Sequence, residues 1–96
     1  MFAVVNHLYL TKPVDEFREP LERDGLPLLA SQPGFIAFHL VRAADDHAIV
    51  VILWESPAAA QNGAAVFGPT WFHNNIIPYL KSEQQRSVGP VLVSSR

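Results

Sequence analysis

Two side chains in this sequence, Asn6 and His73, have the chemistry to act on a bound small molecule. His73 lies in the stretch "GPTWFHNNIIPYL", where Ile76, Ile77 and Leu80 follow it at helical spacing. Side chains three, four and seven residues apart share one face of a helix, so His73 is predicted to face the core. An imidazole there suits a general base, although a histidine that only hydrogen-bonds within the core remains an open interpretation.

Asn6 is a polar residue within the otherwise largely apolar stretch "FAVVNHLYL". Strand alternation puts it on the same face as Val4 and Leu8. Burying an amide without a partner costs about 1 to 3 kcal/mol, so Asn6 either bonds to neighbouring backbone or serves a ligand. An amide at such a place can donate to an enolate or to bound oxygen. Asn6 and His73 are therefore the predicted catalytic residues.

Aromatic residues are predicted to form the walls of a ligand pocket: Phe38, Phe67, Phe72 and Tyr79. Trp71 is assigned elsewhere, because two residues of helix turn the chain by about 200° and separate it from His73. It shares a more polar face with Asn74 and Asn75. Trp71 is expected to be a lid or a contact between subunits, unless the "GP" before it bends the chain.

The other three histidines, His7, His39 and His47, have no carboxylate at ligand spacing, so no metal site is predicted. His7 and His39 fall on one face of their strands, where subunit packing would respond to pH if that face is an interface. Asp45 and Asp46 are turn residues rather than an acid and base pair.

Composition excludes several classes of function. The 96 residues carry seven Lys and Arg, a net charge of −2 and no cysteine. The basic residues do not form a stripe, so the positive surface that nucleic-acid binding needs is not expected. Without cysteine there is no disulfide or thiolate chemistry. Glycine-rich nucleotide motifs and a Ser or Cys nucleophile motif are also missing, so no cofactor is expected from motifs. A soluble, cytoplasmic protein is the default expectation.

The predicted elements describe one domain, residues 1–96, of the α+β class. Strands are predicted at residues 2–10, 35–43, 47–54 and 87–95. A helix over residues 13–31 should kink at Pro20 and Pro27. Another opens at Ser56, a good N-cap, and after the "GP" break a further helical run covers residues 70–83. This order is ferredoxin-like, βαββαβ, with a four-stranded antiparallel sheet and helices on one face.

Both faces of the predicted sheet are apolar, which indicates a partner. Strand one presents Val4 and Leu8 on one side and Val5 and Tyr9 on the other. Helices cover one side only, and the bare side measures about 400 Å², near the limit for soluble monomers. A homodimer packed sheet on sheet would cover it.

The segment "PGFIAFHLVRAADDHAIVVILWESPAAAQ" resembles the central block of the antibiotic biosynthesis monooxygenase (ABM) family, which has a dimeric α/β-barrel fold. The resemblance implies a homodimer, a pocket between sheet and helices, and an Asn in strand one that faces this pocket. It also implies that Trp54, in "WES", is structural. The family includes cofactor-independent oxygenases of aromatic polyketides, quinol oxygenases, haem-degrading enzymes and members without known activity.

The haem-degrading branch carries an Asn, a Trp and a His, and only part of that set is present here. Asn6 and His73 fall at similar places, but this chain has Gly63 where that branch has its Trp. The leading hypothesis is therefore a cofactor-independent monooxygenase of an apolar, aromatic, polyketide-like or quinol-like substrate. Alternatives are a haem-binding protein with His73 as axial ligand and a non-catalytic, stress-linked binding module.

Overall fold

Four antiparallel strands form a single sheet in the computed structural model, which describes residues 1–95. Strands β1 (Phe2–Tyr9), β2 (Phe35–Ala44), β3 (His47–Trp54) and β4 (Gln85–Pro90) are arranged in the order β2-β3-β1-β4. Two helical regions, residues 14–30 and 57–75, connect β1 to β2 and β3 to β4. The predicted ferredoxin-like α+β fold is confirmed.

Strand β3 shows most clearly which face the helices cover. Its side chains alternate strictly between half-buried and buried from His47 to Trp54. Ala48, Val50, Ile52 and Trp54 are the buried set and face the helical regions, as period-two alternation requires. The half-buried set forms the opposite face, which we call the open face.

The first helical region is divided into short segments, as its two prolines predict. A 3-10 turn, Val14–Phe17, leads through Arg18–Pro20 into a π-helical turn, Leu21–Gly25, and then into the α-helix Leu26–Ala30. Proline lacks the amide hydrogen of the α-helical ladder and crowds the carbonyl four residues earlier. The wider π turn between the prolines accommodates this without stopping the helix.

The second helical region begins as predicted but does not break at "GP". The Ser56 hydroxyl accepts a hydrogen bond from the Ala59 amide at 3.1 Å and caps the helix Pro57–Phe67. The chain then continues through a π-helical turn, Gly68–Phe72, into His73–Asn75. The predicted break and the predicted end near residue 83 are both wrong. Pro78 limits the helix, and only a 3-10 turn, Ile77–Tyr79, follows.

The last strand begins earlier and ends earlier than its apolar residues suggest. It covers Gln85–Pro90 instead of residues 87–95, and it pairs with β1 so that Asn6 lies opposite Arg86. After Pro90 the Val91 amide still donates to the Met1 carbonyl, but Leu92 and Val93 are about nine-tenths exposed. The early start of β4 brings residues 84 and 86 to the face that the helices cover.

The core lies between the sheet and the two helical regions. Its most buried large side chains are Trp54, Leu10, Leu29 and Val14. Gly34 opens β2 with a φ of +83°, a backbone conformation that glycine adopts without strain, and its carbonyl accepts from the Glu55 amide. No helix within residues 1–95 is long and apolar enough to cross a membrane.

Candidate functional site

A cavity of about 140 Å³ lies between the covered face of the sheet and both helical regions. Its volume is close to that of a protein cavity that holds one benzene ring, about 150 Å³. The aromatic side chains in its wall come from every layer of the fold: Phe17, Phe38, Trp54, Phe67, Trp71 and Phe72. Exposed Ala64 and Arg86 also contact it, so one side opens toward solvent between the second helical region and β4.

Three of the four predicted wall residues, Phe38, Phe67 and Phe72, line this cavity, and their contact with a ligand stays a prediction. The position predicted for Tyr79 is wrong. Its ring packs edge-on against the outer side of Phe17, with centroids 5.8 Å apart, and the Lys12 ammonium lies 4.0 Å from its centroid. Because Pro78 ends the helix, Tyr79 packs behind Phe17 and does not line the cavity.

Asn6 lines the cavity from the middle of β1, on the face predicted for it. Its neighbours on this face are Val4 and Leu8, both buried. The Oδ1 atom is shielded from solvent and receives no hydrogen bond from any residue within 1–95. The amide oxygen therefore has no backbone donor among these residues, and the catalytic role of Asn6 stays a prediction.

His73 is exposed and does not line the cavity, so its predicted inward orientation is wrong. The reason is helical phase. The chain stays helical from Phe67 onward, and His73 follows Phe67 by six residues, which is about one and a half turns because the π-helical turn lies between them. Since Phe67 faces the cavity, His73 points away from it.

Trp71 takes the place expected for His73. It follows Phe67 by four residues, is 91% buried and stacks on Phe67 with ring centroids 5.6 Å apart. Its ring also lies against Gly25, so the two π-helical turns meet at this side chain. Its assignment to a lid or a subunit contact is wrong, because that assignment treated the "GP" pair as the start of a new helix.

The two polar residues of the cavity besides Asn6, Gln84 and Arg86, were not predicted from the sequence. Both lie on the same side of the β4 segment, next to Asn6 of β1. The predicted strand started at residue 87, and "EQQR" has no apolar alternation that would have extended it. Only the register with β1 identifies these side chains as inward-facing. Asn6, Gln84 and Arg86 form the polar end of the cavity.

The histidines of the open face stand apart from the cavity. His7 Nδ1 and His47 Nε2 are 3.0 Å apart, and Tyr9 stacks on His47 with centroids 4.5 Å apart. His39 is exposed on β2. Within residues 1–95, no three His, Cys, Asp or Glu side chains are grouped as a metal ion would require.

The antiparallel ferredoxin-like sheet, with helices and an aromatic cavity on one face, places the chain in the α+β class. The family model for antibiotic biosynthesis monooxygenase matches residues 1–62. The chain belongs to the ABM family. No curated protein matches it significantly.

Solved structures of the same fold include oxygenases and a porphyrin-binding protein. SnoaB, a cofactor-independent oxygenase from Streptomyces nogalater, has a TM-score of 0.79 at 19% identity, covering 98% of this chain and 95% of that chain. ActVA-Orf6, a monooxygenase of Streptomyces coelicolor in complex with nanaomycin D, has a TM-score of 0.70 at 16% identity, covering 97% and 92%. A mutant of MhuD with two manganese protoporphyrin IX molecules per active site has a TM-score of 0.74 at 18% identity, covering 98% and 97%.

The residues of this chain do not fit haem. None of its four histidines lines the cavity, and His73 is exposed. Trp54, buried at the end of β3, contacts Gly63 so closely that a Cβ there would lie 2.1 Å from its Cη2 atom. A tryptophan at position 63, as in the haem-degrading branch, would overlap this ring. The volume is also below the roughly 300 Å³ at which pockets for larger ligands begin.

Proposed function

We propose that this protein binds a small phenolic or enolic aromatic in its cavity and oxygenates it without a cofactor. The observation that carries the proposal is a cavity walled by aromatic rings with a single polar end at Asn6, Gln84 and Arg86. Such a cavity holds a flat apolar body and directs one oxygen-bearing edge toward the amides and the guanidinium. Membership of the ABM family and the likeness to SnoaB support the reaction class.

In the proposed reaction the substrate supplies all the electrons. A naphthol loses its hydroxyl proton, and the resulting carbanion reacts with O₂ to form a carbon–oxygen bond at the para position. Loss of the proton on that carbon and cleavage of the O–O bond give the para-quinone and one water. One oxygen atom enters the product, the other leaves as water, and both hydrogens lost by the substrate end in that water.

The side chains at the polar end stabilise the anion rather than create it. Within residues 1–95, the cavity lining contains no His, Asp, Glu or Lys that would take a proton. Arg86 carries a fixed positive charge and forms no ion pair with another described residue. A positive charge and an amide donor next to the substrate oxygen favour its ionised form. The substrate therefore enters as the anion or releases its proton to water.

This arrangement predicts that the pH profile belongs to the substrate. We expect kcat/KM to rise with pH and to level off near the ionisation of the naphthol, because only the anion reacts. An electron-withdrawing substituent that acidifies the naphthol should shift the whole profile to lower pH by the same amount. Stopped-flow measurements on two such naphthols would check this. An inflection at one fixed pH for both naphthols would instead reveal a protein base and contradict this mechanism.

Incubation of the purified protein with α-naphthol and isotopically labelled O₂ tests the function itself. Mass spectrometry should find one labelled oxygen atom in the quinone and the other in water. Trp71→Ala, which removes one side chain of the cavity wall, is the variant for comparison. Absence of label in the quinone, or equal labelling without the protein, would contradict the proposed oxygenation.

We further propose that the protein functions as a homodimer joined through the open face. No helix within residues 1–95 covers this face, and its central side chains are apolar: Val5, Ile49, Val51 and Leu53. Val51 lies opposite both Val5 and His39, so it occupies the middle of the sheet. Burial of this apolar area against a second copy is favourable at about 25 cal/mol per Å².

Val51→Glu is expected to convert the dimer into a monomer, because the interface would bury an unpaired carboxylate. Light scattering coupled to size exclusion at micromolar concentration measures the change. Val66→Glu, on the exposed side of the second helical region, is the matched control and should leave the dimer intact. A wild-type protein that is monomeric at these concentrations would contradict the proposal.

A further inference from the structure

Two side-chain oxygens at the polar end of the cavity have no hydrogen-bond donor. Asn6 Oδ1 and Gln84 Oε1 are both shielded from solvent, and no donor within residues 1–95 reaches either atom. Both residues line the cavity. Buried polar atoms in proteins are nearly always paired, so two orphaned acceptors at one end of one cavity require an explanation.

The sheet register places these two acceptors on the same face, with Gln84 two residues before the partner of Asn6. His7 of β1 lies opposite Gln85 of β4, and Asn6 lies opposite Arg86. Side chains alternate along the chain, so Gln84 and Arg86 both point to the side of Asn6, while Gln85 points to the open face with His7. The lining also contains the Arg86 guanidinium and the indole N–H groups of Trp54 and Trp71, and none of them donates to either oxygen. A ligand in the cavity would supply the missing donors.

We propose that Gln84 is a specificity-determining residue, which together with Asn6 accepts hydrogen bonds from two hydroxyl groups of one aromatic ligand. This inference rests on the proposed function and names the substrate class more closely. A catechol has two hydroxyl donors, satisfies both oxygens on binding, and keeps the position para to one hydroxyl free for the proposed oxygenation. The corresponding quinone or ether has only acceptors and leaves both oxygens unpaired, so the site selects the reduced, dihydroxylated form.

Binding of a matched pair of probes under anaerobic conditions tests the inference without turnover. The pair is a dihydroxynaphthalene and its dimethoxy ether, which keeps both oxygens but has no donor. Trp54 and Trp71 both line the cavity, so quenching of their fluorescence reports binding. We expect the dihydroxy compound to bind at least about 10-fold more tightly, since each recovered hydrogen bond accounts for up to about 10-fold.

Gln84→Met keeps the length of the side chain and removes its acceptor. We expect it to lower the affinity for the dihydroxy compound by about 10-fold and to leave the affinity for the ether unchanged. Gln85→Met is the matched control, because the neighbouring glutamine is exposed on the opposite face, and it should change neither affinity. Gln84→Met should not lower the melting temperature, because it removes a buried oxygen that has no partner.

Three results would overturn the inference. The wild-type protein could bind the two probes with equal affinity, Gln84→Met could weaken the binding of both probes equally, or Gln85→Met could weaken the binding of the dihydroxy compound as much as Gln84→Met does. Failure of the proposed function has a different signature. Selective binding of the dihydroxy compound without label transfer from O₂ would contradict the oxygenation alone. Label transfer without selectivity would contradict the role of Gln84 alone, and binding of neither probe would contradict both.

Discussion

Asn6→Leu is expected to lower kcat by about 100-fold, the usual cost of removing one preorganised hydrogen-bonding group that stabilises an anion. The same substitution should raise the free energy of unfolding by about 1 to 2 kcal/mol, because it replaces a buried oxygen that has no partner with an apolar group of similar size. Oxygen uptake with α-naphthol and thermal melting measure the two effects on one sample. A lower kcat together with a higher free energy of unfolding would indicate that Asn6 serves the reaction and not the stability of the fold.

Two controls separate this effect from general damage. Asn74→Leu removes an exposed amide in the second helical region, and His73→Ala removes the exposed imidazole two residues after Trp71. Both should leave kcat within about twofold, because neither side chain touches the cavity. The assignment of Asn6 would be wrong if its leucine variant kept full turnover, and the cavity would be the wrong site if His73→Ala lost it.

Gly63→Ala is expected to destabilise the fold by about 1 to 3 kcal/mol, although alanine is the better helix former. The added methyl would lie 2.1 Å from Trp54 Cη2 and less than 3.0 Å from two more atoms of the same ring, so the indole must move. Since Trp54 also lines the cavity, ligand affinity should fall with stability. Urea denaturation and probe binding measure the two changes.

Gly68→Ala is the matched control for stability alone, because Gly68 also lines the cavity and, within residues 1–95, no atom outside its own helix backbone and its chain neighbours lies within 4 Å of the added methyl. It should be neutral or stabilise by up to about 1 kcal/mol. Combining Gly63→Ala with Trp54→Phe should cost less than the sum of the two single changes, since the smaller ring leaves room for the methyl. Strict additivity would show that Trp54 is not the obstacle.

The order of the strand-like runs and the turns between them was sufficient to predict the topology, although β4 was placed at the wrong residues. Both faces of β3 are apolar in the sequence, and only the structure shows which of them the helices cover. Asn6 was placed with Val4 and Leu8 by strand alternation, and these three residues share the covered face. Period-two reasoning therefore groups the residues of one face, and packing decides which face is buried.

The helical phase after Phe67 was predicted wrongly from the sequence. A glycine followed by proline usually ends a helix, but here tertiary packing of Phe67 and Trp71 holds the chain helical through both residues. The phase set by Phe67 therefore continues, and Trp71 instead of His73 faces the cavity. Gln84 was not predicted for another reason, since no pattern in a polar segment indicates which of its residues faces inward.

The π-helical turn Gly68–Phe72 holds one residue more than an α-helical turn, so its length can change without reorienting the residues on either side. Deleting one residue from it would restore an α-helical turn and leave Phe67 facing the cavity and His73 facing solvent. The side chains between them, including Trp71 and Phe72, would change their positions in the wall. A change of length in this turn would therefore rearrange the aromatic wall while the rest of the helical region keeps its orientation.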